Sequence, residues 1–208
     1  LYNTIEAPLI PILARMERIG FMVDRDVLND LDREFSDRLN QLTESVYREA
    51  GHEFNIQSTK QLGEVLFDEL GLPVVKRTKT GYSTDIEVLE KLSGSHPVID
   101  MLIEYRQIAK LKSTYIDGLL DKIDPRDRRI HTRFSQTGTA TGRLSSNDPN
   151  LQNIPVRQDI GRQIRKAFVA ADEDHILVDA DYSQIELRVL AHISGDPAFI
   201  RAFTEGED

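Results

Sequence analysis

The chain has 208 residues with a formal charge of −9, and 39% of them are hydrophobic and 29% charged. That composition belongs to a globular protein of one large or two small domains and excludes an intrinsically disordered chain. The lack of cysteine excludes disulfides, thiolate catalysis and cysteine-ligated zinc. No apolar run approaches the ~20 residues of a membrane span, and no signal peptide is visible, so no membrane partner and a cytoplasmic location are expected. The chain opens on Leu1 rather than Met and ends on Glu205, Gly206, Glu207 and Asp208, as a piece of something longer would.

Helical spacing governs the first 123 residues. Ile5, Leu9, Ile12, Met16 and Ile19 stand at helical spacing and predict one helix that ends at Gly20. After an extended Phe21-Met22-Val23, Asp24 or Arg25 leads into a second helix, with Leu28, Leu31, Phe35, Leu39, Leu42 and Val46 on one face and Gly51 as its stop. Ser58 with Gln61, and Thr84 with Glu87, read as capping boxes on either side of a Lys/Thr/Gly loop from Val75 to Tyr82. Pro97 opens a long helix to about Ile123, with Val98, Leu102, Tyr105, Ile108, Leu111, Tyr115 and Leu119 inward.

After Asp124-Pro125 the pattern changes. The Thr-rich alternation over 130–143 predicts strands, 145–150 a loop, and Ile176-Leu177-Val178 a buried strand. Ser183 should cap a helix with Glu186 at its third position, and Asp196-Pro197 should start the last helix. The boundary falls near 124, between a helical module and an α+β piece.

Charge is unevenly spread. Residues 105–166 carry 13 Lys/Arg against 6 Asp/Glu, a local +7, while the other 146 residues carry −16. Nucleic-acid binding follows the local field and not the mean. Within that stretch, Thr139 to Pro155 combines Arg143 with the carboxamides Asn147, Asn150, Gln152 and Asn153 and several hydroxyls. Such donors suit phosphates, sugars and minor-groove acceptors shared by all base pairs, although a plain polar loop has much the same composition. Lys110, Lys112, Ser113 and Thr114 could grip a phosphate backbone or simply be solvated. Asp181 at a predicted strand end suits a hard cation, and Asp179 shares its face by the period of a strand. The five histidines show no metal-ligand spacing, and His192 reads as structural.

Together these segments resemble family A DNA polymerases. The resemblance rests on Asp181-Tyr182-Ser183-Gln184-Ile185-Glu186-Leu187-Arg188, on Thr141-Gly142-Arg143-Leu144-Ser145-Ser146 and on Asn150-Leu151-Gln152-Asn153-Ile154-Pro155. Lys110 to Tyr115 and Leu66 to Pro73 extend it across essentially the whole chain. It implies a mainly α thumb followed by an α+β partial palm, a multi-domain fragment of a right-hand polymerase. Residues 1–24 would be a palm-proximal helix and connector, 25–123 the thumb and 124–208 the N-terminal part of the palm.

The resemblance further implies that Asp181 and the Tyr182 backbone carbonyl bind Mg²⁺, two ions serving the complete enzyme, and that Glu186 excludes ribose. Arg143, Asn147, Asn150, Gln152 and Asn153 would touch primer–template DNA. Asn55, Ser58, Lys79, Ser83, Lys110, Lys112, Ser113 and Thr114 would touch its phosphates. Relatives do not require an acid at Asp179, so it leaves the metal site. The fingers that hold deoxynucleoside triphosphates and a second catalytic aspartate are expected outside these residues, so the isolated chain is expected not to polymerise. The alternative is a non-catalytic duplex-binding module.

Overall fold

In the computed structural model the described residues are 1–79, 81–155 and 159–206, with the side chains of Asp159 and Ile160 left aside. They form two compact units, Leu1–Val169 and Ala170–Asp208. The first begins with a π-helical turn, Tyr2–Glu6, running into α1 (Ala7–Ile19). The predicted helix is present, and its apolar stripe is largely exposed. Leu13 is buried, whereas Ile5, Ile12, Met16 and Ile19 are 41–55% exposed. Periodicity shows which face of a helix is apolar, and burial needs a second surface. The docking contacts are made by carboxylates: Glu17 of α1 accepts the Phe134 N–H at 2.7 Å, and Glu6, at the end of the π-helical turn, accepts from the Gln136 amide at 2.7 Å.

Gly20 turns the chain into β1 (Phe21–Met22) with φ +65°, and a Cβ there would meet Ile130 O and His131 Nδ1 at 2.8 Å. Only glycine satisfies both demands. Asp24 then caps α2 (Arg25–Ala50), accepting the N–H groups of Asp26 and Val27, and Gly51 closes the helix in the left-handed region. Ser58 caps α3 (Thr59–Gly63) as expected, but Gln61 turns its carbonyl to the Asn55 N–H instead of completing the box. The helix continues as a π-helical segment, Glu64–Glu69.

A small hairpin follows, β2 (Arg77–Thr78) with β3 (Gly81–Tyr82), whose Thr80 lies outside the described residues. The cap of α4 (Ile86–Leu92) is Asp85, not Thr84. Asp85 Oδ1 accepts the Val88 N–H at 3.0 Å, whereas buried Thr84 receives the Arg106 guanidinium on its carbonyl and hydroxyl. A carboxylate one residue nearer the helix outcompetes the hydroxyl.

The long helix after Pro97 is α5 (Pro97–Leu111), a π-helical stretch Lys112–Asp117 and α6 (Gly118–Leu120). Leu28 to Leu42 of α2 share one core cluster with Ile108 and Leu111, and Val46 shares a second with Val98, Ile99 and Leu102. The two helices therefore run antiparallel, and a bidentate Arg38–Glu104 pair at 2.7 and 2.8 Å links them midway.

The first cluster also takes in Ile123, Ile130, Ile154, Ile164 and Ala167, so residues well beyond 124 pack into the same unit as the helices. Ile123 and Ile130 come from a three-stranded antiparallel sheet in the order β1-β5-β4, made with β4 (Ile123–Asp124) and β5 (Arg129–Ile130), Ile164 from α7 (Asp159–Lys166), Ala167 from the turn after it and Ile154 from the loop before it. Of the strands predicted across 130–143, the end of β5 and one further short strand are present, and no strand is formed over 136–143. That further strand, β6 (Arg133–Ser135), pairs with β7 (Ser145–Asn147), which lies in the expected loop. Ser146 is 1% exposed there, because its hydroxyl is hydrogen-bonded and therefore tolerates burial.

In the second unit Ile176, Leu177 and Val178 are not a buried strand. They are 63–83% exposed and have no ladder partner among the described residues, and a strand exists only through pairing. Nor does Ser183 cap α8 (Ile185–Ser194). Gln184 enters it in a left-handed conformation, and the Ser183 carbonyl accepts from Arg188 Nε at 3.0 Å. Asp196 does cap α9 (Pro197–Glu205), taking the Ala198 and Phe199 N–H groups at 2.8 and 2.9 Å.

Candidate nucleic-acid interface and metal ligand

The polar stretch from Thr132 to Asn153 is a built loop. The Thr132 hydroxyl lies 2.6 Å from that of Ser146 and 2.8 Å from the Pro149 carbonyl, and the Leu151 N–H donates to Ser146 Oγ at 3.2 Å. Each hydroxyl has one proton, and the shorter contacts favour a chain from the Leu151 N–H to Ser146 to Thr132 to the Pro149 carbonyl, with Ser146 Oγ also 3.2 Å from that carbonyl and Thr132 Oγ1 3.1 Å from the Asn147 carbonyl. From the helical side, the Tyr115 hydroxyl donates to the Asn153 carbonyl. Arg143 is exposed on the turn after Gly142, where its carbonyl accepts from Thr139.

The carboxamides of the loop differ in their commitments. Asn150 Oδ1 accepts the Gln152 N–H at 3.0 Å, and Asn147 Nδ2 donates to Ser145 at 3.4 Å. Gln152 is engaged at both ends of its amide, with Leu144 and Ser146. The Asn153 side chain is exposed and makes no hydrogen bond with the described residues. Beside the loop, Asp148 sits between Lys122 at 2.8 Å and Arg133 at 2.9 Å, which lower its pKa, Lys122 contributing most.

The expected phosphate-contacting residues fall into two groups. Lys110 is exposed at the end of α5, with exposed Ser113 and Thr114 in the adjoining π-helical stretch and Lys79 exposed on the β2–β3 hairpin. Lys112 instead lies between Asp32 at 2.7 Å and Asp117 at 2.9 Å, and the two carboxylates raise its pKa. Ser83 is 5% exposed and donates to Asp85, while Asn55 and Ser58 order the turn before α3. Spacing along the chain could not distinguish these groups, because the partners that occupy Lys112 and Ser83 are set by packing.

In the second unit Asp181 and Tyr182 lie on an exposed irregular segment just before α8, whose first turn carries Glu186. The Asp181 carboxylate joins no ion pair or hydrogen bond among the described residues. That carboxylate and the main-chain carbonyl of exposed Tyr182 are hard oxygen donors of the kind that fit Mg²⁺. Asp179 is exposed on the same segment.

Sequence spacing missed one cluster. Asp124, Asp127 and His131 bring their polar atoms within 4.8 Å of one another. The carboxylates there already have partners: Arg126 holds the Asp124 pKa down to about 2, and His131 sits 3.0 Å from Asp127. The His131 pKa is raised by the Glu17 carbonyl first and by Asp127 after it. Among the described residues no helix is long and apolar enough to cross a membrane.

This combination of a helical unit, a rigid polar loop and an exposed carboxylate ahead of a helix is that of a right-hand polymerase's thumb and partial palm. The sequence pattern of DNA polymerase family A matches residues 25–208, and the chain belongs to that family. It is 54% identical over all 208 residues to DNA polymerase I of Bacillus subtilis strain 168, covering 24% of that protein. It is 56% identical over 210 residues to the thermostable DNA polymerase I of Thermus thermophilus, covering 25% of it. The chain thus spans about a quarter of the length of these relatives. Among solved structures it is similar to the POL domain of Pol1 from M. smegmatis in complex with DNA primer-template and dNTP. That match has TM-score 0.83 and 47% identity, over 99% of this chain and 36% of the other. Polymerases of this family are metal-dependent.

Proposed function

We propose that this chain supplies the duplex grip and one metal-binding carboxylate of a DNA-directed DNA polymerase serving replication and repair. The observation that carries the proposal is identity above one half along the entire chain to DNA polymerase I proteins. Residues 25–123 act as the thumb, 124–208 as the first part of the palm, and 1–24 as the connector beside it.

Arg143 and Asn153, with the donor groups of Asn147 and Asn150, face the minor groove of primer–template DNA. A loop tied internally meets the duplex with little ordering cost, and its donors match acceptors common to every base pair, so the grip is independent of sequence. Lys110, Ser113, Thr114 and Lys79 hold phosphates. Lys112, Asn55, Ser58 and Ser83 support that surface, since their polar atoms are largely engaged within the protein.

In the complete enzyme Asp181 and the Tyr182 carbonyl hold Mg²⁺, two ions being used in all, and Glu186 crowds the 2′ position of an incoming deoxynucleoside triphosphate. When bound, Mg²⁺ lowers the pKa of a primer 3′-hydroxyl and offsets phosphate charge. The Asp181 carboxylate contributes by being exposed and unpaired among the described residues, so none of their contacts has to break when the ion binds.

The test is fluorescence anisotropy with a labelled primer–template across a salt series. Each phosphate contact adds roughly −0.9 to the slope of log K against log salt, so Lys110→Ala should flatten the slope by about one contact. Arg143→Ala and Asn153→Ala should weaken binding. Absence of salt-dependent binding by the unsubstituted chain would overturn the proposal.

A further inference from the structure

Gln152 and Asn153 are adjacent carboxamides with opposite commitments, and the reason lies in the β6–β7 ribbon. A two-stranded ribbon leaves an unpaired edge on each side. Phe134 of β6 faces Ser146 of β7, and both turn their N–H groups outward. The Phe134 N–H is taken by the Glu17 carboxylate of α1 at 2.7 Å. On the other edge, Gln152 Oε1 accepts the Ser146 N–H at 3.1 Å, and Gln152 Nε2 donates to the Leu144 carbonyl at 3.2 Å.

Leu144 O and Ser146 N–H flank Ser145, and they are the pair of groups that one residue of a neighbouring strand would satisfy. A carboxamide carries the same donor and acceptor as a peptide unit. We infer that Gln152 is a positioning residue whose amide stands in for a missing strand along β7 and thereby fixes Arg143, the residue preceding Leu144, without itself touching DNA. The inference rests on the duplex-binding proposal for its consequence but not for its structural content. Asn153, held through its carbonyl by Tyr115, keeps its amide outward for the duplex.

Two measurements on the 208-residue chain separate the structural content from the functional consequence. Hydrogen exchange without DNA reads the clamp directly. Protection of the Ser146 amide should be lost in Gln152→Met, which has similar length and no amide, and kept in Asn153→Ala. Gln152→Glu, which retains an acceptor for Ser146 but offers no donor to Leu144, should keep most of that protection and serves if the Met variant folds poorly.

Anisotropy with primer–template then reads the consequence. Gln152→Met should weaken binding about fivefold, the order of one hydrogen bond, and the effect should fall below about twofold in an Arg143→Ala background. Asn153→Ala should weaken binding in both backgrounds. Unchanged Ser146 protection in Gln152→Met would overturn the clamp, and a full fivefold effect persisting without Arg143 would overturn action through that residue. If the unsubstituted chain does not bind DNA, the proposed function fails, and Ser146 exchange still decides whether the clamp exists.

Discussion

The buried hydroxyl pair under the loop makes a quantitative prediction, because its two members are not equivalent. Thr132 and Ser146 are 2% and 1% exposed, so their hydrogen bonds are not exchanged for water. In Thr132→Val the Pro149 carbonyl loses its donor at 2.8 Å, but Ser146 Oγ lies 3.2 Å from the same carbonyl and can redirect its proton there. The cost is then about one net hydrogen bond, ~1 kcal/mol.

Ser146→Ala has no such relief, because the Leu151 N–H is left without its acceptor, and the cost is ~2 kcal/mol. In the double variant the Pro149 carbonyl has neither hydroxyl, so it should be less stable than the sum of the singles by about 1 kcal/mol. Thermal unfolding followed by circular dichroism checks this. At ~2–4 °C per kcal/mol for a chain of this size, the single variants should melt ~3 and ~6 °C below the unsubstituted protein. Equal costs for the two singles, or a double variant matching their sum, would refute the directed chain of donors.

His131 should make stability depend on pH. Its Nδ1 faces the Glu17 carbonyl at 2.8 Å and its Nε2 faces Asp127 at 3.0 Å, with the Asp124 charge adding to the pull, so the imidazolium is favoured and the folded pKa lies above the ordinary 6.5. A raised folded pKa gives stabilisation that is complete below about pH 6.5 and lost as pH rises through the folded value. Asp124, held to about 2, stays ionised throughout that window. The difference in urea midpoint between the unsubstituted chain and His131→Gln should therefore be larger at pH 6 than at pH 8, and a flat difference would refute the pairing. For Asp181, Mn²⁺ should broaden the NMR signals of Tyr182 and Ser183 in the unsubstituted chain and leave them sharp in Asp181→Asn. Equal broadening in both would remove Asp181 from the metal site.

Much of the fold is legible in the sequence where the deciding interactions are local. Asp24, Ser58 and Asp196 cap helices by reaching N–H groups two or three residues away, and the stripe from Leu28 to Val46 buries as its spacing predicts, leaving only Leu39 part-exposed. The motif around Asp181 and the loop from Thr141 to Pro155 identify the family from residue identity alone, which is why the candidate site was legible while its geometry was not.

Tertiary structure decided whatever depends on partners remote in sequence. Glu17 meets Phe134 across 117 residues and Tyr115 meets Asn153 across 38, and these contacts determine which face of α1 docks and how the loop is held. The polar contacts of Lys112, Ser83, Gln152 and Asn153 follow likewise. A lysine between two carboxylates and a lysine in water have the same side chain, and two neighbouring carboxamides differ only in what lies opposite them. Composition and spacing specify which groups can donate or accept, whereas commitment is decided by the desolvation of each group and the partner that packing brings to it.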